Sequence, residues 1–153
     1  MSKADQNYMA LALEVAERAT ARGEVPVGAV IVQDGKLLVR AGNRVEADND
    51  PTAHAEILAI RAAADMLDAP RLPDCDLYVT LEPCAMCAGA LVHARLARVI
   101  YGASDPKSGG TAHGARVFSH SQAHHVPEVI SGLCEEDCVE LLKVFFSKKR
   151  LNR

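Results

Sequence analysis

The stretch Leu77-Tyr78-Val79-Thr80-Leu81-Glu82-Pro83-Cys84-Ala85-Met86-Cys87-Ala88-Gly89-Ala90 changes character half-way. Leu77 to Thr80 is a short apolar run rich in strand formers, which predicts a β-strand. Pro83 interrupts it, and the residues from Met86 to Ala94 predict a helix that begins at Cys84. Val99-Ile100-Tyr101 then predicts another strand. Strand, helix and strand in succession imply a parallel pair joined by a crossover, which places the chain in the α/β class. Cys84 and Cys87 are three apart, so at a helix start they share one face and can grip one ion. The helix dipole there favours their thiolate form.

About thirty residues earlier stands His54-Ala55-Glu56. In mid-helix, residues two apart point to different sides, so His54 and Glu56 face one point only at a helix start. Asp50-Pro51-Thr52 supplies that start, and the apolar positions Ile57, Leu58, Ile60, Ala64 and Leu67 continue it with helical periodicity. One imidazole and two thiolates fill three corners of a tetrahedral zinc site. The fourth is left for a water that Glu56 can deprotonate. His-x-Glu followed by Pro-Cys-x-x-Cys is the pattern of zinc deaminases of nucleobases. Alone, Cys-x-x-Cys suits a redox pair or half of a closed structural site as well as it suits a catalytic metal. The remaining candidates for a fourth ligand, Cys75, Cys134 and Cys138, read more simply as ordinary cysteines. Five cysteines, two of them claimed by the metal, argue against a disulfide framework and for a reducing compartment.

Composition bounds the rest. The 153 residues suit one domain, 1–153, and 49% apolar content with 4% aromatic is enough for a core. No basic-then-apolar leader and no apolar run near the ~20 residues of a bilayer span is visible, so a soluble cytoplasmic protein is expected. A net charge of −3 argues against a long duplex partner, whose binders usually carry a net basic footprint. Local cations remain: Arg95 and Arg98 after the zinc helix, Lys107 in a Gly-rich loop, and Lys148, Lys149, Arg150 and Arg153 at the C-terminus. They read either as a small patch for a short folded RNA or as solvated helix ends.

The flanking segments read as further elements. Ala10, Leu11, Leu13, Val15, Ala16 and Ala19 predict a first helix ending near Arg22-Gly23. Val27–Val32 and Leu37–Val39, separated by a turn holding Asp34-Gly35, predict an antiparallel hairpin. A short strand from Val126 to Ile130 and a last helix from about Glu135 to Lys149 complete the chain. His93, His113, His120, His124 and His125 lie in or near polar loops without ligand spacing and read as surface histidines. Taken alone, Asn43 and Asp105 suit turns, and Phe145 and Phe146 suit anchors of the last helix.

Four stretches carry a specific resemblance: Val25–Val30, Asn49–Glu56, Leu77–Ala90, and Tyr101-Gly102-Ala103-Ser104-Asp105-Pro106-Lys107-Ser108-Gly109. With them the chain resembles the bacterial tRNA-specific adenosine deaminases of the cytidine-deaminase-like superfamily. The resemblance implies a three-layer α/β/α sandwich with a five-stranded mixed sheet, and a homodimer with one zinc per subunit and no organic cofactor. The implied partner is a tRNA anticodon stem-loop and the implied activity is hydrolysis of its wobble adenosine to inosine. It implies His54, Cys84 and Cys87 as zinc ligands, Glu56 as the proton shuttle, and Asn43, Ala55, Asp105, Lys107 and Phe146 as substrate contacts. Phe145 would help shape the loop-binding surface. Gly110–Val117 departs from the Gly-Ser-apolar pattern of the family. The alternatives are a zinc deaminase of a free base or nucleoside of the guanine or cytosine type, and a noncatalytic zinc-stabilised RNA-binding module.

Overall fold

The structure, a computed structural model, describes residues 1–152; Arg153 of the C-terminal cations lies outside the described residues. Helix α1 (Lys3–Ala21) starts well before the apolar positions that announce it, because Ser2 and Asp5 form a capping box. The Ser2 hydroxyl accepts from the Asp5 N–H at 3.1 Å and the Asp5 carboxylate accepts from the Ser2 N–H at 3.2 Å. Strands β1 (Gly28–Gln33) and β2 (Lys36–Gly42) form the expected hairpin. Asp34 (φ +49°) and Gly35 (φ +75°) both take left-handed conformations, the two-residue loop whose twist matches the strands.

Helix α2 (Ala55–Leu67), strand β3 (Cys75–Leu81), helix α3 (Ala85–Ala94) and strand β4 (Arg98–Ala103) follow in the predicted order. A 3-10 turn at Val117–Ser119, strand β5 (Glu128–Ile130) and helix α4 (Glu135–Leu151) close the chain. Strand β5 is shorter than Val126–Ile130, since Pro127 has no N–H to give to a ladder. The five strands are ordered β2-β1-β3-β4-β5; β1 is antiparallel to both neighbours and β3, β4 and β5 are parallel, so the sheet is mixed.

Alternation along the central strands builds two cores. Ala29, Ile31, Leu77, Val79, Val99 and Tyr101 pack with Ala59 and Ala63 of α2 and Ala88 and Leu91 of α3. Val30, Val32, Tyr78 and Ile100 pack on the other side with Met9 and Ala12 of α1 and Cys138 of α4. Both faces are therefore covered, which is why β1 reads as an unbroken apolar run. Helix α1 lies so close to the sheet that a Cβ on Gly28 would collide with the Ala12 carbonyl oxygen and approach the Ala16 nitrogen within 2.7 Å. Only glycine permits that approach.

Arg98, at the start of β4, is engaged within the protein. Its guanidinium donates to Asp76 at 3.0 Å, Asp5 at 3.2 Å and the Tyr78 hydroxyl at 3.1 Å, and Tyr78 donates to Asp5. This network fastens the first turn of α1 to one end of the sheet. The other end, where β3 and β4 run out, is where open α/β sheets place ligands. Among the described residues, no helix is long and apolar enough to cross a membrane.

Candidate active site

Two helices begin at one point. His54 is the N-cap of α2 and Cys84 the N-cap of α3, both with extended backbone and neither side chain engaged in capping. Relieved of that duty, they turn toward each other. His54 Nδ1 lies 3.6 Å from Cys84 Sγ and 3.4 Å from Cys87 Sγ, and the three donor atoms fall within 4.8 Å of one another. Tetrahedral zinc bonds of ~2.1 Å to nitrogen and ~2.3 Å to sulfur place those two atoms about 3.6 Å apart. The donor set and its spacing fit zinc. A hydrogen bond from Cys87 dominates the Cys84 thiol, outweighs its burial, and with His54 holds it at about 4. The same bond pushes Cys87 up, far beyond an ordinary thiol. The two thiols thus push each other's acidities apart, and a divalent cation between them would favour both as thiolates.

Glu56 follows in the first turn of α2, buried beneath the ligands. Burial lifts its carboxyl to about 7, its own backbone N–H opposing and the Cys84 charge adding to the rise. A cation alongside would draw that value down. Above it opens a cavity of about 240 Å³, lined among others by Glu24, Asn43, His54, Glu56, Cys84 and Asp105. This is below the ~300–1,000 Å³ of pockets that engulf drug-sized ligands, so it suits one heterocycle. Asn43 is buried and its side-chain oxygen accepts from the Ala55 N–H at 2.8 Å. That bond fixes the amide and leaves its NH2 as the group free to meet a ligand.

Residues 2–103 match the family described as the cytidine and deoxycytidylate deaminase zinc-binding region. The chain is 53% identical over 146 residues, 95% of its length and 96% of the relative's, to the tRNA-specific adenosine deaminase of Agrobacterium fabrum. The chain belongs to the tRNA-specific adenosine deaminase family. A solved structure from a study of A-to-I editing by tRNA:A34 deaminases superposes with a TM-score of 0.88 at 53% identity, covering 89% of this chain and 99% of that one. The guanine deaminase of Nitrosomonas europaea shares the fold with a TM-score of 0.80 at 24% identity, over 92% of this chain and 83% of that one.

The remaining positions singled out by the family resemblance separate into wall, rim and core. Ala55 is buried, and its N–H is the group that Asn43 holds. Asp105 borders both the cavity and an adjoining groove, and its carboxylate also makes the turn expected of it, accepting from the Lys107 and Ser108 N–H groups at 3.2 and 3.0 Å. Lys107 is exposed and lines the groove, not the cavity. Phe146 is 41% exposed in that groove with Lys143 and Arg150, whereas Phe145 is buried. Lys149 reaches the cavity wall.

Two buried carboxylates beside the cavity were not singled out from sequence. Glu24 accepts from the Glu46 and Ala47 N–H groups at 3.1 and 2.8 Å, and Glu82 accepts from Asp105, Thr111 and His113. Each pins a loop at the cavity's rim. Their one sequence signal is an acid in apolar company, Glu24 before Val25-Pro26-Val27 and Glu82 after Val79-Thr80-Leu81. The histidines also divide: His113 pairs with Glu82 at 2.8 Å and the His125 ring donates to the Leu96 carbonyl at 2.7 Å. These two are structural, not merely solvated.

Proposed function

We propose that the protein is a cytoplasmic RNA-editing hydrolase that converts adenosine to inosine at the wobble position of a tRNA anticodon. One observation carries this reading: the cavity beside the metal ligands and Glu56 has room for about one heterocycle and adjoins a groove of cations and an aromatic ring. Lys107, Lys143 and Arg150 suit phosphates, and Phe146 suits a stacked neighbouring base. A deaminase of free bases has no use for such a rim. A closed structural zinc site has no use for a buried carboxylate beside three ligands.

His54, Cys84 and Cys87 would hold one zinc per subunit, which when bound acidifies a water toward neutral pH and stabilises negative charge on oxygen. The chain supplies the rest. Asn43 orients the purine through its free NH2. Glu56 accepts a proton from the attacking water and delivers it to the ring nitrogen beside C6, then takes the remaining proton from the hydroxyl now on C6 and delivers it to the departing amine. Oxygen bonds to C6, the C6–N bond breaks, ammonia leaves and a carbonyl remains. The cavity walls, Val25, Val27 and Leu81 among them, exclude bulk water. A base in a loop is already unpaired or nearly so, which removes much of the few kcal/mol that extrusion costs.

The single domain is proposed to work as a homodimer. Ile57 and Leu58 of α2 and Ala85, Met86, Gly89 and Ala90 of α3 keep apolar or small side chains partly exposed, Met86 at 39%, and a second copy of this chain would cover them. The test of function is deamination by zinc-loaded protein of an anticodon stem-loop with adenosine at the wobble position, beside free adenosine, guanine and cytosine. Inosine in the stem-loop alone is expected. Ammonia from a free base with the RNA unchanged overturns the assignment.

A further inference from the structure

Glu82 is fully buried and saturated. Its Oε1 accepts from the Asp105 N–H at 3.0 Å and the His113 ring Nδ1 at 2.8 Å, and its Oε2 from the Thr111 and His113 N–H groups at 3.2 and 3.1 Å. Four donors fill the capacity of a carboxylate, so nothing is left to offer a substrate. The donors come from both ends of the segment 105–113. Between them, Gly109 presses on the same carboxylate so closely that a Cβ would collide with it. A Cβ on Gly110 would strike the Ala85 nitrogen and approach the Cys84 carbonyl carbon within 2.7 Å. The Gly110 N–H also donates to the Pro83 carbonyl at 2.8 Å. The segment is thus clamped between Glu82 and the start of α3, and it presents Asp105 and Ser108 to the cavity and Lys107 to the groove.

We infer that Glu82, with His113 as its outer partner, is a positioning pair that holds the 105–113 segment in its substrate-facing form. The inference rests on the function proposed above. The pair acts on binding through the segment and not on the proton transfers: Glu56 lies on α2, away from the clamp, and the segment meets the zinc-ligand end of α3 only through the Gly110 backbone, whose hydrogen bond to Pro83 does not involve the Glu82 carboxylate. The 2.8 Å contact requires a proton on His113 Nδ1. Any side chain that delivers a donor to that point should serve.

The experiment is steady-state kinetics of Glu82→Gln, His113→Ala and His113→Gln on the wobble-adenosine stem-loop, with zinc content measured on each protein. In Glu82→Gln the new NH2 faces N–H donors, so two of the four bonds are lost. The expected result is a KM raised roughly tenfold with a smaller fall in kcat and zinc content equal to wild type. His113 is 37% exposed in its side chain, so its variants remain folded; His113→Ala should raise KM and His113→Gln should restore it. A fall in kcat with KM unchanged, loss of zinc, or failure of His113→Gln to rescue overturns the inference. Wild-type protein that leaves the stem-loop unedited defeats the proposed function instead. The clamp is then judged by amide exchange at 105, 111 and 113, which Glu82→Gln must accelerate if it is real.

Discussion

In the proposed reaction Glu56, Cys87 and Asn43 divide the chemistry between them, and substitution separates the parts. Glu56→Ala removes the one buried carboxylate placed to carry protons while leaving all three ligand atoms. Turnover should fall by at least the ~10²–10⁴ of general acid–base catalysis with zinc retained, as read by metal analysis beside the assay. Cys87→Ala removes a ligand and should lose the metal itself. Asn43→Asp is subtler: it keeps an acceptor for the Ala55 N–H and exchanges the free donor for an acceptor. Stability should hold while KM rises, and an unchanged KM would remove Asn43 from purine recognition. Asn43 read alone as a turn residue and was singled out only by the family resemblance, whereas the metal ligands and Glu56 were legible because each motif is contiguous and its spacing has geometric meaning. Glu24 and Glu82 were not, since their partners lie 22 to 31 positions away and no local pattern announces them. Phe145 and Phe146 are adjacent, with rings 5.2 Å apart and nearly perpendicular, yet one is core and the other groove. Only the packing of α4 decides which.

Among elements, α1 is the one whose attachment is ionic as well as apolar. Burial alone would raise the Asp5 carboxyl. Hydrogen bonds from Tyr78, Ser2 and Arg98 outweigh it and hold Asp5 at about 2, below its ordinary 3.8. A depressed carboxyl contributes stability that is complete above its unfolded value and lost as pH falls toward its folded one. The wild type should therefore lose stability between about pH 4 and pH 2 through this group, and Asp5→Asn should lose less across that window while being weaker at pH 6. Urea midpoints of both proteins at pH 6 and pH 2.5 check this; parallel pH dependence would discard the network's role. The order of elements was readable because periodicity switches cleanly between strand and helix. Boundaries were less so: the capping box carries α1 back to Lys3, and pairing with Gly28 draws β2 on to Gly42, both matters of partners outside the apolar pattern.

For the whole molecule, a net charge of −3 and a nucleic-acid substrate are compatible only if the cations are gathered. Lys107, Lys143 and Arg150 line the groove and Lys149 the cavity, while Arg98 is spent on the far end of the sheet. Four cations on a single-stranded loop give a slope of log affinity against log salt of about −3, from roughly −0.7 per phosphate. Raising KCl from 50 to 200 mM should then weaken stem-loop binding by about fiftyfold, measured with inactive Glu56→Ala protein so that no product forms. Lys143→Ala should flatten the slope by close to one phosphate's share. A slope near zero would mean that the groove carries no phosphates and that shape and stacking on Phe146 do the holding. A slope twice as steep would require cations beyond this groove, and exposed ones such as Lys148, next to Lys149, would then have to reach the RNA as well.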